Sequence, residues 1–135
     1  MTYTISQAAK KTGISAHTLR YYDKEGILPF IDKNAAGVRI FKDSDFEFLY
    51  IINILKSTGM TLKRIKQYIE WCMAGDSMLE KRLEVVRKHK EDIEKQMEDL
   101  RKSKEAMDYK IWYYETAIVA KTERIHDNRP FGVYD

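Results

Sequence analysis

Apolar residues recur at helical spacing through most of the chain, and glycines punctuate them. Ile5, Ala8, Ala9 and Thr12 follow the i, i+3, i+4, i+7 pattern of a helix with one inward face. Thr4-Ile5-Ser6-Gln7 has the residue types of a capping box, so this helix starts at Thr4, and Gly13 ends it. Ser15 caps a second helix running from Ala16 to about Glu25, which Gly26 terminates. Two short helices joined by a tight glycine turn predict a helix-turn-helix unit. In "PFIDKNAAGVRIF", Phe30-Ile31 and Val38-Ile40 flank a polar, glycine-containing centre, which predicts a β-hairpin. Asp43 or Ser44 caps a third helix with Phe48, Ile51, Ile52 and Leu55 on one face, and Gly59 stops it. Thr61 caps a fourth helix carrying Leu62, Ile65, Ile69 and Cys72, with Met60 and Ile65 placed as a hydrophobic staple.

The last predicted element is long. Ser77-Met78-Leu79-Glu80 reads as a second capping box. Beyond it Leu79, Val86, Ile93, Leu100, Met107 and Tyr114 recur every seventh residue. Leu83, Lys90, Met97, Lys104, Ile111 and Ile118 form a second row, and ten of these twelve positions are apolar. This is a coiled-coil seam. At about 1.5 Å per residue it extends roughly 60 Å, so burying it requires a partner helix. A parallel homodimer sets Lys90 against Lys90 and Lys104 against Lys104. An antiparallel pair centred between residues 98 and 99 sets Lys90 against Met107 and Lys104 against Ile93. There each lysine stem lies on apolar surface while its ammonium reaches water. The same register brings Arg87 near Asp108 and Glu94 near Arg101, although Glu80 near Glu115 opposes it. The expectation is an antiparallel homodimer.

The segment "SAHTLRYYDKEGILP" carries the candidate chemistry. Successive helix residues point about 100° apart, so Tyr21 and Tyr22 cannot enter one core together. Projected down the axis, Leu19 and Tyr22 fall on one side; His17, Arg20, Tyr21 and Lys24 fall on the other, with Thr18 beside them. An exposed face of this kind suits a recognition helix. Arginine makes bidentate contacts to guanine or clamps a phosphate, and residues near the helix N-terminus reach base edges. Lys33, Asn34 and Arg39 on the hairpin are placed to follow the flanking backbone as a wing.

Charge agrees with a nucleic-acid partner. The net charge of the 135 residues is +3, yet residues 1–75 hold 11 Lys and Arg against 7 Asp and Glu, and the remainder 13 against 14. A local basic excess suits a phosphate surface. Cys72 is the only cysteine, so no internal disulfide forms, which fits a cytoplasmic setting. The polar N-terminus has no signal-peptide pattern, and no apolar run is long enough to span a membrane.

"YTISQAAKKTGISAHTLRYYDKEGILP", "GVRIF", "LKSTGMTLKRIKQYI" and the heptad helix together resemble the MerR family of bacterial transcription regulators, over residues 2 to about 118. The resemblance implies a mainly α protein: a winged helix-turn-helix with a small β-hairpin wing, then a long antiparallel coiled-coil dimerisation helix. The corresponding segments are 1–75, 76–118 and a tail, 119–135. It implies homodimers on double-stranded promoter DNA, distorted so that RNA polymerase engages both promoter elements. It also implies DNA contacts from Ser15, His17, Thr18, Arg20, Tyr21 and Lys24, from Arg39 in the wing, and from Thr61 and Lys63 at the start of the fourth helix.

No cofactor and no metal site is expected. Residues 112–135 contain no cysteine and only His126, whereas metal sensors of the family carry paired cysteines there. Ile54 occupies the position of the reactive cysteine of electrophile-responsive relatives. Cys72, on an apolar face, reads as a buried inert thiol ahead of a redox sensor. Trp112 and Tyr113 point off the seam, and an antiparallel dimer brings them near Tyr68, Trp71 and Cys72 of the partner. This is the candidate region for a small organic effector, although plain packing is the simpler reading. The tail either docks there through Phe131 and Tyr134 or stays disordered. No nucleophile–base pair or phosphate-cradling loop suggests an enzyme. The second reading is an architectural or excision-type DNA-bending accessory protein, against which the dimer rod argues.

Overall fold

The computed structural model describes residues 1–135, which form two compact units, Met1–Lys90 and Glu91–Asp135. The first unit contains β1 (Thr2–Tyr3), α1 (Ile5–Thr12), α2 (Ala16–Lys24), β2 (Asp32–Lys33), β3 (Arg39–Lys42), α3 (Asp45–Ser57) and α4 (Leu62–Met73). It also contains the start of α5 (Leu79–Ala120). The division falls inside α5, later than residue 75, because Val85 joins the core of the first unit. His89, also buried, bonds Thr58 just beyond α3, with Nε2 at 2.6 Å from the hydroxyl.

Three local caps work as expected. The Thr4 hydroxyl accepts from the Gln7 N–H at 3.1 Å while the Gln7 side chain accepts from the Thr4 N–H at 2.9 Å. Ser15 and Thr61 cap α2 and α4 through the N–H groups of Thr18 and Arg64. Gly13 closes α1 at φ 75°, a left-handed conformation that favours glycine, and its N–H bonds the Ala9 carbonyl. Ile14 plugs the turn. Leu19, Ile27, Leu28, Phe41, Leu49, Ile52, Ile65 and Ile69 fill the core.

The hairpin forms with two differences: its first strand is Asp32–Lys33, just after the expected Phe30-Ile31, and it belongs to a larger sheet. It is one half of a three-stranded antiparallel sheet in the order β1-β3-β2, with Thr2 opposite Lys42, Tyr3 opposite Phe41 and Lys33 opposite Arg39. A two-residue β1 is too short to show alternation, so the sequence pattern carried no sign of it. Asn34 closes the hairpin turn, its side-chain carbonyl accepting from Ala36 and Val38 N–H at 2.9 and 3.0 Å.

Two expected caps are replaced. Ser44 stands at the N-cap of α3 in a helical conformation and makes no side-chain cap bond. Asp45, only 1% exposed, instead turns back and accepts from the Lys42 N–H at 2.9 Å and the Lys42 ammonium at 2.8 Å. This pins β3 to α3. The entry to α5 is not the capping box Ser77–Glu80; Gly75, at φ 86°, leads into a 3₁₀ turn, Asp76–Met78.

In the second unit α5 continues to Ala120 and stops at Lys121, which has φ 61°. The Thr122 N–H then bonds the Ala117 carbonyl at 3.0 Å. A 3₁₀ turn, Glu123–His126, sends the tail back along the helix. Phe131 and Tyr134 pack on Tyr109, with ring centroids at 4.8 and 5.4 Å, and Tyr134 also meets Trp112. The tail is therefore ordered against its own helix.

Candidate nucleic-acid interface

Adjacent tyrosines of α2 separate as the helical projection requires. Leu19 is fully buried and Tyr22 is 5% exposed, whereas Tyr21 is 44% exposed. Burial, then the neighbouring Tyr21, pushes the Tyr22 hydroxyl above its ordinary pKa. His17, Arg20 and Lys24 are exposed on the side of Tyr21. None of these four makes a side-chain hydrogen bond or ion pair within the chain, so all their polar groups are available to a ligand. At the N-terminus of the helix the Ser15 hydroxyl donates to the Thr18 hydroxyl at 2.9 Å. The Thr18 O–H remains free to donate outward.

The wing is differently arranged. Lys33 is exposed and unpaired. The Asn34 carbonyl is committed to its turn, leaving only the amide N–H groups free. Arg39 is half-buried and fully engaged on one side. Its Nε donates to Asp23 Oδ2 at 2.9 Å, its Nη2 lies 2.9 Å from Asp23 Oδ1, and its Nη1 donates to the Ile31 carbonyl at 3.0 Å. The sequence places Arg39 on the wing as a backbone contact. Nothing in the local pattern marks Asp23, on α2, as its partner.

On α4, the Thr61 hydroxyl is occupied as a cap, and Lys63 is exposed. With Arg64, Lys66, Gln67 and Glu70 it lines an open surface groove of about 520 Å³. Lys66 reaches back towards Gly26, beyond the C-terminus of α2: a Cβ added there would lie 3.3 Å from the Lys66 ammonium. The basic row of α4 thus continues the surface that begins on α2. Arg64 and Lys66 were not among the sequence candidates, although their spacing after the Thr61 cap puts them beside Lys63.

The candidate effector residues are divided between the two units. In the first unit Tyr68, Trp71 and Cys72 are half-buried, and Lys81 sits over the Trp71 ring at 5.5 Å. Burial first, then the adjacent Cys72, raises the Tyr68 pKa. In the second unit Trp112 and Tyr113 are roofed by the tail. His126 stacks on Tyr113 at 4.3 Å and meets Trp112 at 5.0 Å. The His126 ring is held at both nitrogens. Arg129 Nε donates to Nδ1 at 3.0 Å, and Nε2 lies 3.1 Å from the Tyr113 carbonyl and 2.7 Å from the Thr116 hydroxyl. A cleft of about 380 Å³ lies beside Tyr109, Phe131 and Tyr134. No group of three or more His, Cys, Asp and Glu side chains is placed to hold a metal ion. No helix is long and apolar enough to cross a membrane.

A helix-turn-helix whose second helix offers an unoccupied polar face, flanked by a pinned wing and a basic helix, defines a DNA-binding transcription regulator. Comparison with known proteins agrees. The profile of the MerR HTH family regulatory proteins matches residues 3–71, and that of the MerR DNA-binding region matches residues 47–109. An HTH-type transcriptional regulator of Haemophilus influenzae is 41% identical over 117 residues, 87% of each chain. The crystal structure of HiNmlR, a MerR family regulator lacking the sensor domain and bound to promoter DNA, superposes with a TM-score of 0.84 at 38% identity. That match covers 93% of this chain and 99% of that one. A MerR family regulator from Bacillus thuringiensis gives 0.78 at 38% identity, over 82% of this chain and 97% of the other. The chain belongs to the MerR family, whose members are transcription regulators and not enzymes.

Proposed function

We propose that the protein binds a pseudo-palindromic operator in promoter DNA as an antiparallel homodimer, with α2 of each copy in a major groove. Arg20, Tyr21, His17, Lys24 and Thr18 read bases and phosphates from α2, with Ser15 holding its N-terminus in place. Lys33 and the Asn34 amide follow the backbone from the wing, joined by the remaining donors of Arg39. Lys63, with the cap residue Thr61, touches phosphate from α4. The dimer bends the DNA between its half-sites, and RNA polymerase engages the reshaped promoter in the cytoplasm. The observation that carries this reading is the unpaired polar face of α2, anchored from behind by Leu19 and Tyr22. The promoter-bound HiNmlR complex supports the choice of DNA. Support for the second copy comes from the seam of α5. Leu79, Leu83, Val86, Met97, Leu100, Met107, Ile111, Tyr114 and Ile118 are all 48% exposed or more in the single chain. A small organic effector remains part of the proposal, with Tyr68, Trp71, Cys72, Trp112 and Tyr113 as its region; quenching of Trp112 fluorescence on ligand addition tests it.

The test is binding of the full chain to its own upstream promoter fragment, followed by fluorescence anisotropy. Binding should be specific and should weaken steeply with salt. Arg20→Ala should lower affinity by about 1–3 kcal/mol and relax sequence preference. Equal affinity for a scrambled fragment would overturn the reading. The architectural alternative is not favoured, since the relatives regulate transcription.

A further inference from the structure

Arg39 joins three parts of the first unit. Its fork holds Asp23 near the end of α2 through two bonds of 2.9 Å, and its remaining bond holds the Ile31 carbonyl where the chain enters β2. Lys42 anchors the base of the wing, bonding the Phe30 carbonyl at 2.7 Å and pairing with Asp32 at 3.4 Å, but it does not reach α2; Arg39 does. β2 is two residues long, every residue from Asp32 to Val38 is exposed, and so short a hairpin is not stable by itself. Arg39, Asp23 and Arg20 line, with Leu19, Leu28, Ile31, Val38 and Phe41, a mostly apolar crevice of about 200 Å³. Its apolar walls do not fix the distance between wing and α2 as a directional bond would.

We propose that the Arg39–Asp23 pair is a positioning strut that sets the wing against the recognition helix, so that Lys33 and Arg20 meet DNA in one register. The inference rests on the DNA-binding reading above. A bidentate arginine–carboxylate pair supplies the needed geometry because both bonds are charge-assisted and lie in one plane. Lysine at this position cannot form the fork. Asp23 carries a negative charge beside a surface meant for phosphate, which a structure built on charge alone would avoid. Its presence there is explained if it holds the arginine in place.

The roles of contact and strut predict opposite signs for Asp23→Asn. If Arg39 is only a phosphate contact, removing a negative charge beside it tightens binding. If the pair is a strut, binding weakens about five- to tenfold, and the slope of log affinity against log salt becomes shallower by about one ion because Lys33 no longer engages. The loss in Asp23→Asn should then be non-additive with that in Arg39→Gln, since each breaks the same link. Independent of DNA, amide hydrogen exchange from Lys33 to Ile40 should accelerate tenfold or more in Asp23→Asn, with the thermal midpoint and dimerisation close to wild type. Unchanged exchange in the wing, or DNA binding equal to or tighter than wild type, overturns the strut. Failure of the wild-type chain to bind its promoter fragment counts against the DNA reading, and the exchange measurement still decides the strut.

Discussion

Two helices leave a face uncovered, and the chemistry of those faces is opposite. On α2 the exposed side is polar: His17, Arg20, Tyr21 and Lys24 extend from a helix fixed by Leu19 and Tyr22. On α5 the exposed side is apolar, with Leu100 70% and Ile118 74% exposed. Water satisfies the first face and is a poor solvent for the second. A polar face can wait for its ligand at little cost. An apolar stripe of this length is costly to leave in water, and the proposed second copy presents a matching stripe. The back of α5 sharpens the contrast, because there the chain covers itself: Tyr109 is buried, and Phe131 and Tyr134 of the tail lie against it. The uncovered stripe is therefore selective, since the tail closes the aromatic side and leaves the heptad side open.

The most damaging test of this distinction is a charge on the apolar stripe. In the proposed antiparallel register Leu100 faces Met97 of the other copy, so Leu100→Glu introduces two charges into one dimer. The loss of two buried leucines, plus the penalty for the new charges, should exceed about 4 kcal/mol. Sedimentation should show a monomer at concentrations where wild type is dimeric. A stable dimer in this variant would refute the seam as the interface.

The next largest effect separates the adjacent tyrosines. Tyr22→Ala removes a core ring and should lower stability by about 3 kcal/mol, read from urea unfolding. Tyr21→Ala should change stability by less than about 0.5 kcal/mol while weakening DNA binding. If both variants lose the same stability, the division of α2 into an anchored and a free side is wrong.

A smaller effect probes the covered back of α5. His126 is 4% exposed, and its ring bonds Arg129, the Tyr113 carbonyl and the Thr116 hydroxyl. His126→Ala should destabilise the tail by about 1–3 kcal/mol, seen as faster amide exchange from Glu123 to Asp135, with the dimer retained. Loss of the dimer instead would mean that tail and seam are not independent surfaces.

These comparisons also show which features were legible in the sequence. The caps at Thr4, Ser15 and Thr61 lie within three residues of the groups they satisfy, and periodicity alone separates Tyr21 from Tyr22 and marks the seam. Features that depend on residues meeting across the chain were not legible. Asp23 and Arg39 lie 16 residues apart and carry no shared pattern. Asp45 looks like any helix-starting carboxylate until β3 brings Lys42 onto it. The capping box expected at Ser77 has suitable residue types, but Gly75 and the 3₁₀ turn deliver the chain to α5 by another route. The tail has no periodicity, so only its aromatic residues hinted that it would fold onto Trp112 and Tyr109.

The smallest predicted effect distinguishes a polar group already committed within the fold from one free for DNA. Asp43 is exposed, yet its carboxylate accepts the Tyr3 hydroxyl at 2.7 Å. That bond holds its pKa below the ordinary 3.8, and the Tyr3 hydroxyl is raised above 10.0, chiefly by the same bond. For Asp43 the folded value lies below the unfolded one, so its contribution is present above about pH 4 and is lost as pH falls through the folded value. For Tyr3 the folded value lies above the unfolded one, so its contribution is present below about pH 10 and is lost as pH rises through the folded value. Between those limits the bond tying β1 to the turn before α3 should be independent of pH. Tyr3→Phe should remove the alkaline edge and weaken the acid edge, which the Met1 amine and Lys11 also support: its stability difference from wild type should stay constant from pH 5 to 9 and shrink as acid protonates Asp43. A difference that instead grows in acid would mean that the hydroxyl does not hold the carboxylate. Asp43 would then be held by the Met1 amine alone, 3.7 Å away.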